Sequence, residues 1–148
     1  MLHTSHPGRW VATLAACVVL AACADTAGEE EEAGDGPATV EAVEGSDIAR
    51  VTLTDDAARR IDLQTDVVGS SPDGAIQIPY AAVLYDPDGH AWAFVKLDEL
   101  TFEREPIEVD HVDGDVAVLS SGPAAGTEVA TTGAPQLYGA ELGVGEDE

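Results

Sequence analysis

The sequence predicts a mostly β fold, a small antiparallel sheet or barrel with one short helix, over residues 47–142. Three observations predict it. Short apolar runs recur from residue 78 to residue 137, turn sequences such as Pro-Asp-Gly and Asp-Gly separate them, and apolar and polar residues alternate within several of them. Runs of about four to eight residues with a period of two, bounded by turn residues, are typical of strands in antiparallel sheets.

The predicted elements begin with a strand, a helix and a second strand. Residues 48–53 alternate between apolar and polar side chains, as a strand does. Thr54 is a good N-cap for a helix over residues 55–61, which has acidic residues in its first turn and basic residues in its last. That charge order stabilises the helix dipole. Residues 62–68 alternate again and predict the second strand, which ends at a Gly-Ser-Ser-Pro-Asp-Gly turn.

Six more strands follow along the chain, and a short polar tail closes it. They are predicted at residues 75–78, 79–85, 91–96, 101–110, 115–119 and 128–132. Turn residues separate most neighbouring runs. Residues 143–148, rich in Gly, Glu and Asp, are predicted to be a disordered tail.

The N-terminus has the pattern of a lipoprotein signal peptide, predicted over residues 1–22. Residues 11–20 form an apolar run that is long enough for a signal peptide but too short to span a membrane. The run ends in Leu-Ala-Ala-Cys, a lipobox whose cysteine, Cys23, is acylated and becomes the mature N-terminus. Cys17 closes a second Leu-Ala-Ala-Cys, but too few apolar residues precede it. Cys23 is therefore the predicted lipidation site, an ordinary secretory signal being the alternative.

Lipidation at Cys23 predicts a protein anchored to the extracytoplasmic face of a bacterial membrane, without spanning it. Residues 23–46 follow as an acidic segment that includes four consecutive glutamates, residues 29–32. Self-repulsion and the lack of apolar periodicity predict a disordered spacer between the membrane and the domain.

The charge balance excludes one class of partner. The 148 residues include 29 acidic and only 6 basic ones other than histidine, for a net charge of −23. Nucleic-acid binding needs Lys and Arg clustered on one face, so a nucleic-acid partner is excluded. A solvated acidic surface is the simplest explanation, and recruitment of cations or of a basic partner is the other.

Residues 79–137 resemble the membrane-proximal part of periplasmic adaptor subunits, the membrane fusion proteins of RND and related efflux pumps. The order and spacing of turn glycines and strand residues carry this resemblance. The matching residues are Pro79, Ala82, Val83, Val95, Gly114, Val116, Val118, Leu119, Ser121, Gly122, Gly126, Val129, Gly133, Ala134 and Leu137. One residue departs from the pattern, because Pro123 stands where the family usually has Leu.

A second segment, residues 51–68, resembles a unit near the start of mature adaptors, which usually have Gly where Asp62 stands. In a full adaptor this unit is followed by a barrel, a lipoyl-like domain and often a helical hairpin. Only ten residues separate Val68 from Pro79 here, so the lipoyl-like and hairpin parts have no room, and the inserted barrel is expected to be absent as well. The resemblance implies a minimal adaptor that docks on an RND- or ABC-type transporter and supports transmembrane transport. It leaves homo-oligomerisation open.

Two Asp-Gly turns offer groups that could bind a metal ion or a small solute, the alternative function. The candidate ligands are Asp86, Asp88, His90, Asp110, His111, Asp113 and Asp115. Turn chemistry alone also explains these residues, because Asp and Gly favour the conformations that such turns need.

The remaining residues favour a non-enzymatic protein that needs no cofactor. The sequence has no Gly-x-Ser-x-Gly elbow, phosphate loop or His-Glu-x-x-His helix. The run Glu103–Glu105 is interpreted as an exposed strand face with weak ion pairs. Trp92 and Phe94 alternate along one strand face, where core packing is the usual reason and a docking patch that includes Tyr85 is the alternative.

Overall fold

The computed structural model of the chain describes residues 36–144 and confirms the mostly β fold. In this range ten strands, two α-helices and one 3-10 helix follow in the order β1(Ala38–Ala42), β2(Ala49–Leu53), α1(Asp55–Arg60), β3(Gln64–Val67), β4(Gly69–Ser70), β5(Ile76–Pro79), the 3-10 helix Tyr80–Ala82, β6(Leu84–Tyr85), β7(Ala91–Asp98), β8(Thr101–Asp113), β9(Val116–Ser121), β10(Glu128–Thr132) and α2(Ala134–Glu141). Neither α-helix is long enough to cross a membrane. Cys23 lies outside the described residues.

The strands form one antiparallel sheet that nearly closes into a barrel. Its order is β3-β10-β7-β8-β9-β5-β4. Only Val68 separates β3 from β4 along the chain, so the two ends of this order belong to one bent strand. A hairpin of β1 and β2 adds to the start of β8, through pairs such as Val51 with Phe102.

Two clusters of buried apolar side chains lie on opposite faces of the sheet. The first fills the barrel: Val68, Ile78, Ala82, Ala93, Val95, Ile107, Ala117, Leu119 and Val129. The second lies between the outer face of the sheet and the two α-helices: Val51, Leu53, Ala57, Ala58, Phe94, Phe102, Ala130, Ala134 and Leu137. Because successive side chains of a strand point to opposite faces, β7 contributes Phe94 to the outer cluster and its two neighbours to the barrel.

Several elements differ from the sequence predictions. β4 lies in the segment predicted to be a turn, and β8 continues to Asp113, past the predicted end at residue 110. β1 lies within the segment predicted to be a disordered spacer, because Ala38 and Val40 pack on the outer cluster while the strand pairs with β2. Residues 79–85 do not form one strand: they turn through the 3-10 helix, closed by a hydrogen bond from Val83 N to Tyr80 O. α2 was not predicted, although the proline in its first turn, Pro135, is a helix-start signal.

Asp62, the residue after the C-cap Ile61 of α1, has a left-handed backbone. Asp62 has φ of +51°, and it is the one non-glycine residue among residues 36–144 with positive φ. The turn satisfies two carbonyl groups of the helix end, since Asp62 N donates to Arg59 O and Leu63 N donates to Ala58 O. Helices commonly end on glycine in this conformation because a Cβ atom is disfavoured there. The left-handed backbone thus favours Gly at the position where adaptors usually have it.

We expect Asp62→Gly to raise the free energy of unfolding by about 0.5–1 kcal/mol, because it removes the left-handed strain. Asp62→Ala keeps a Cβ atom but lacks the short polar side chain that tolerates this conformation. It is expected to lower the free energy of unfolding by about 0.5–1 kcal/mol. Urea unfolding measures the stability of the three proteins, which is expected to fall in the order Gly, Asp, Ala at position 62. A glycine variant less stable than the original protein would contradict the explanation.

Candidate functional site

The turn between β6 and β7 is built around the carboxylate of Asp86. β6 pairs with the start of β7, through Leu84 with Trp92, and the chain reverses over residues 86–90. Asp86 Oδ1 accepts hydrogen bonds from the backbone N–H of Asp88 (3.0 Å) and of His90 (2.8 Å). A carboxylate that accepts bonds from nearby N–H groups fixes the turn conformation.

The second oxygen of this carboxylate connects the turn to β7. Asp86 Oδ2 accepts a hydrogen bond from Trp92 Nε1 at 3.0 Å and lies 3.1 Å from His90 Nδ1. Burial of the carboxylate raises its pKa, but the hydrogen bonds from Trp92 and His90 outweigh burial and lower the pKa of Asp86 to about 2. The group is therefore a carboxylate at neutral pH and holds the indole in place.

We expect the carboxyl of Asp86 to titrate near pH 2, and not near the usual 3.8, in a ¹³C NMR titration. Because its pKa is depressed in the folded state, its stabilisation is complete above the unfolded pKa near 4 and is lost as pH falls toward 2. Asp86→Asn should therefore be less stable than the original protein at pH 7, with the difference shrinking below pH 4. A titration midpoint near 4 would show that the Trp92 bond does not form.

Three of the candidate metal ligands lie together. Single ligand atoms of Asp86, Asp88 and His90 lie within 4.8 Å of one another, and this is the one such group of three or more found within residues 36–144. Two carboxylates and an imidazole can bind a divalent cation. Both oxygens of Asp86, however, already accept hydrogen bonds that hold the turn, so its structural role competes with metal binding.

The other candidate ligands do not join this group of three. His111 Nδ1 lies 2.8 Å from Asp110 Oδ2, and both side chains are exposed at the end of β8. His111 and Asp113 line a separate pocket of about 260 Å³, together with Ser71 and Asp73. A hydrogen bond from the Ser71 hydroxyl is the main cause that lowers the pKa of Asp73.

The three aromatic candidates for partner binding have different surroundings. Tyr85 is 51% exposed, Trp92 is partly buried and Phe94 is fully buried in the outer cluster. Core packing, the usual reason for this alternation, is therefore confirmed for Phe94, and the alternative that places Phe94 in a docking patch is wrong, because the two α-helices cover the face of β7 to which it points.

Tyr85 and Trp92 line an open groove of about 610 Å³ between the β6–β7 turn and β8. Its other lining residues are Gly89, His90, Ala91, Pro106, Ile107, Glu108 and Val109. The groove combines an aromatic wall with apolar and acidic groups from β8. It is larger than the pocket of about 260 Å³ that His111 and Asp113 line, and it contains two of the sequence-predicted partner residues.

A charged group beside the groove was not predicted from the sequence. Arg104 Nε donates to Glu141 Oε1 at 2.7 Å, and their side chains are only 11% and 3% exposed. The guanidinium carbon of Arg104 lies 4.3 Å from the centre of the Trp92 ring and 5.5 Å from that of Tyr138. The interpretation of Arg104 as an exposed residue with weak ion pairs was therefore wrong, because α2 covers it.

Comparison with family models, with curated proteins and with solved structures finds no match to this chain. The fold and the groove define a small, strongly acidic β-barrel domain with a covering layer of two helices and a β-hairpin. Its function must be argued from its own residues.

Proposed function

We propose that this chain is a lipid-anchored, non-enzymatic protein on the extracytoplasmic face of a bacterial membrane, which docks on a transporter as a minimal efflux adaptor. The lipobox that ends at Cys23 supports the anchor, and the resemblance of residues 51–68 and 79–137 to adaptor subunits supports the partner class.

One structural observation carries the proposal. The two segments that resemble adaptors are joined by a hairpin in which Gly69 pairs with Gln77 and Ser70 with Ile76, so β4 and β5 pass directly from one segment to the other. Both segments contribute to the same clusters, since Val51 and Leu53 pack with Ala134 and Leu137. This packing supports a module whose two adaptor-like segments come together without an inserted lipoyl-like domain.

The absence of room for that inserted domain limits the mechanism. In full adaptors the lipoyl-like and hairpin parts stack towards an outer-membrane channel. This chain would instead stay at the membrane surface, where the acidic segment after Cys23 holds the barrel away from the lipid headgroups. Its role would be to pack on the extracytoplasmic part of the transporter and support its assembly or gating.

The test is cross-linking of tagged, full-length protein in its own membranes, followed by purification and mass spectrometry. We expect recovery of an RND- or ABC-type transporter. Cys23→Ser should abolish acylation and reduce that recovery, whereas Cys17→Ser, which changes the other cysteine, should leave both intact. If no transporter is recovered while other membrane complexes survive, the proposal fails.

The alternative function, binding of a metal ion or solute by acidic turns, rests on the proximity of Asp86, Asp88 and His90. Calorimetric titration with Ca²⁺, Zn²⁺ and Cu²⁺ separates the two functions, because an adaptor needs no stoichiometric cation. Stoichiometric binding that is lost in Asp88→Asn would favour the alternative. Asp88 is the better residue to change, since Asp86 also holds the turn.

A further inference from the structure

One edge of the second half of β8 has no strand beside it. The ladder between β7 and β8 ends at the pair Ala91 with Ile107, whereas β8 continues to Asp113. Over residues 108–113 the one strand that pairs with β8, within the described part of the chain, is β9. The opposite edge therefore presents backbone N–H and C=O groups, and such an edge is a template for another strand.

The groove between Tyr85 and Val109 lies beside this edge. Its apolar and aromatic lining includes Trp92, Pro106 and Ile107. When an extended peptide adds to a sheet edge, backbone hydrogen bonds supply affinity, and pockets for alternate side chains supply specificity. The groove can receive apolar side chains from a strand paired with β8.

The charges around the edge select the kind of strand. Glu108 and Asp110 are exposed along β8, and the turn opposite carries Asp88. The nearby Arg104 is already bonded to Glu141. Lysine or arginine side chains at alternate positions of an incoming strand would meet these carboxylates, and complementary charge both speeds encounter and excludes wrong partners.

We propose that this edge and groove bind an extended, basic segment of another protein by strand addition to β8. A second copy of this chain is disfavoured as the occupant, because it has the same acidic edge and a net charge of −23. The chain's own segment 24–35 is also acidic and lacks Lys and Arg. The inference goes beyond the proposed function, since it holds whichever protein supplies the segment.

The test uses the full-length chain and three labelled octapeptides. The first alternates Lys with Val. The second has the same side chains but an N-methyl group on every residue, so neither of its edges can complete a ladder with β8. The third replaces Lys by Glu. Fluorescence anisotropy should show binding of the first peptide that weakens with added salt, and binding at least about tenfold weaker for the other two. A photo-reactive version of the first peptide should cross-link to β8 or to the β6–β7 turn.

Paired charge-reversal variants complete the test. The double variant Glu108→Lys with Asp110→Lys should bind the first peptide about tenfold more weakly than the original protein. The control, Glu44→Lys with Glu99→Lys, changes the net charge equally at exposed positions away from the groove, and its affinity for the peptide should change less than about twofold. Far-ultraviolet circular dichroism checks that both variants fold. The proposal fails if the N-methylated peptide binds as well as the first peptide, if the two double variants have equal effects, or if cross-links form only on other surfaces. It also fails if the original protein is a dimer that the substitutions Glu108→Lys and Asp110→Lys dissociate.

Discussion

Gly133→Ala is expected to lower the free energy of unfolding by about 3 kcal/mol, through backbone strain and overpacking together. Gly133 is the N-cap of α2 and has φ of +91°, a conformation that residues with a Cβ atom rarely adopt. A Cβ atom built there would lie 2.9 Å from Ile61 Cδ1 and 3.2 Å from Leu63 Cδ1. Both atoms are the far ends of partly buried side chains that pack against the outer cluster, so displacing them adds to the cost of the backbone strain.

Urea unfolding of Gly133→Ala and Gly139→Ala measures this effect against a matched control. Gly139 lies on the same helix, and its Cβ atom would have no neighbour within 4 Å. The control should be more stable than the original protein by about 0.5–1 kcal/mol, because alanine favours helix over glycine. Ile61→Val removes the Cδ1 atom and should recover part of the loss in the Gly133→Ala background. A loss below about 1 kcal/mol for Gly133→Ala would show that the entry to α2 adapts easily.

The sequence predicted those parts of the fold that local chemistry decides. The N-cap Thr54 begins α1 because its hydroxyl accepts from Ala57 N, and this signal is readable within four residues. β10 was predicted with the bounds Glu128–Thr132 that the structure has. In both cases alternation or capping was sufficient, and no distant residue was needed.

The misses have a common cause, since each depends on residues far apart in the chain. β1 is short and lies in an acidic context, and it becomes a strand because β2 pairs with it. Alternation showed that Trp92 and Phe94 share a face of β7. It did not show that both faces of this strand are covered, one by the helices and the other by the interior of the barrel.

The candidate site was predictable as a set of turns but not as a surface. The sequence identified the turn that contains Asp86 and His90, and it identified Tyr85 as an aromatic neighbour. The groove exists because β8 runs on beyond β7, and the lengths of two paired strands depend on their register. Sequence alternation gives no register between strands, so the free edge had no signal in the sequence.

The pair Arg104–Glu141 fastens α2 and the N-terminal hairpin to the sheet. Glu141 Oε1 accepts from Arg104 Nε and also, at 3.0 Å, from the backbone N–H of Ala49 at the start of β2. Glu141 Oε2 is buried and has no hydrogen-bond partner among the described residues. Removing one member of such a pair leaves an uncompensated charge in a poorly solvated place, which costs far more than an exposed ion pair contributes.

We expect Arg104→Met and Glu141→Leu each to lower the free energy of unfolding by about 3–5 kcal/mol, and the double variant to lose much less than either. The pair Arg50–Glu103, at 3.2 Å and more exposed, is the matched control, and Arg50→Met should cost less than about 1 kcal/mol. Urea unfolding of the four variants and the original protein gives the coupling energy from a double-mutant cycle.

The sign of that coupling decides what the pair contributes. If the double variant is close to the original protein in stability, the pair selects the position of α2 without adding net stability, because apolar side chains of similar volume fill the same space. If the losses simply add, Arg104 stabilises the fold mainly through its stacking on Trp92 and Tyr138, and Glu141 through its bond to Ala49. Coupling is expected to dominate, because one 2.7 Å bond joins the two side chains where little water reaches them.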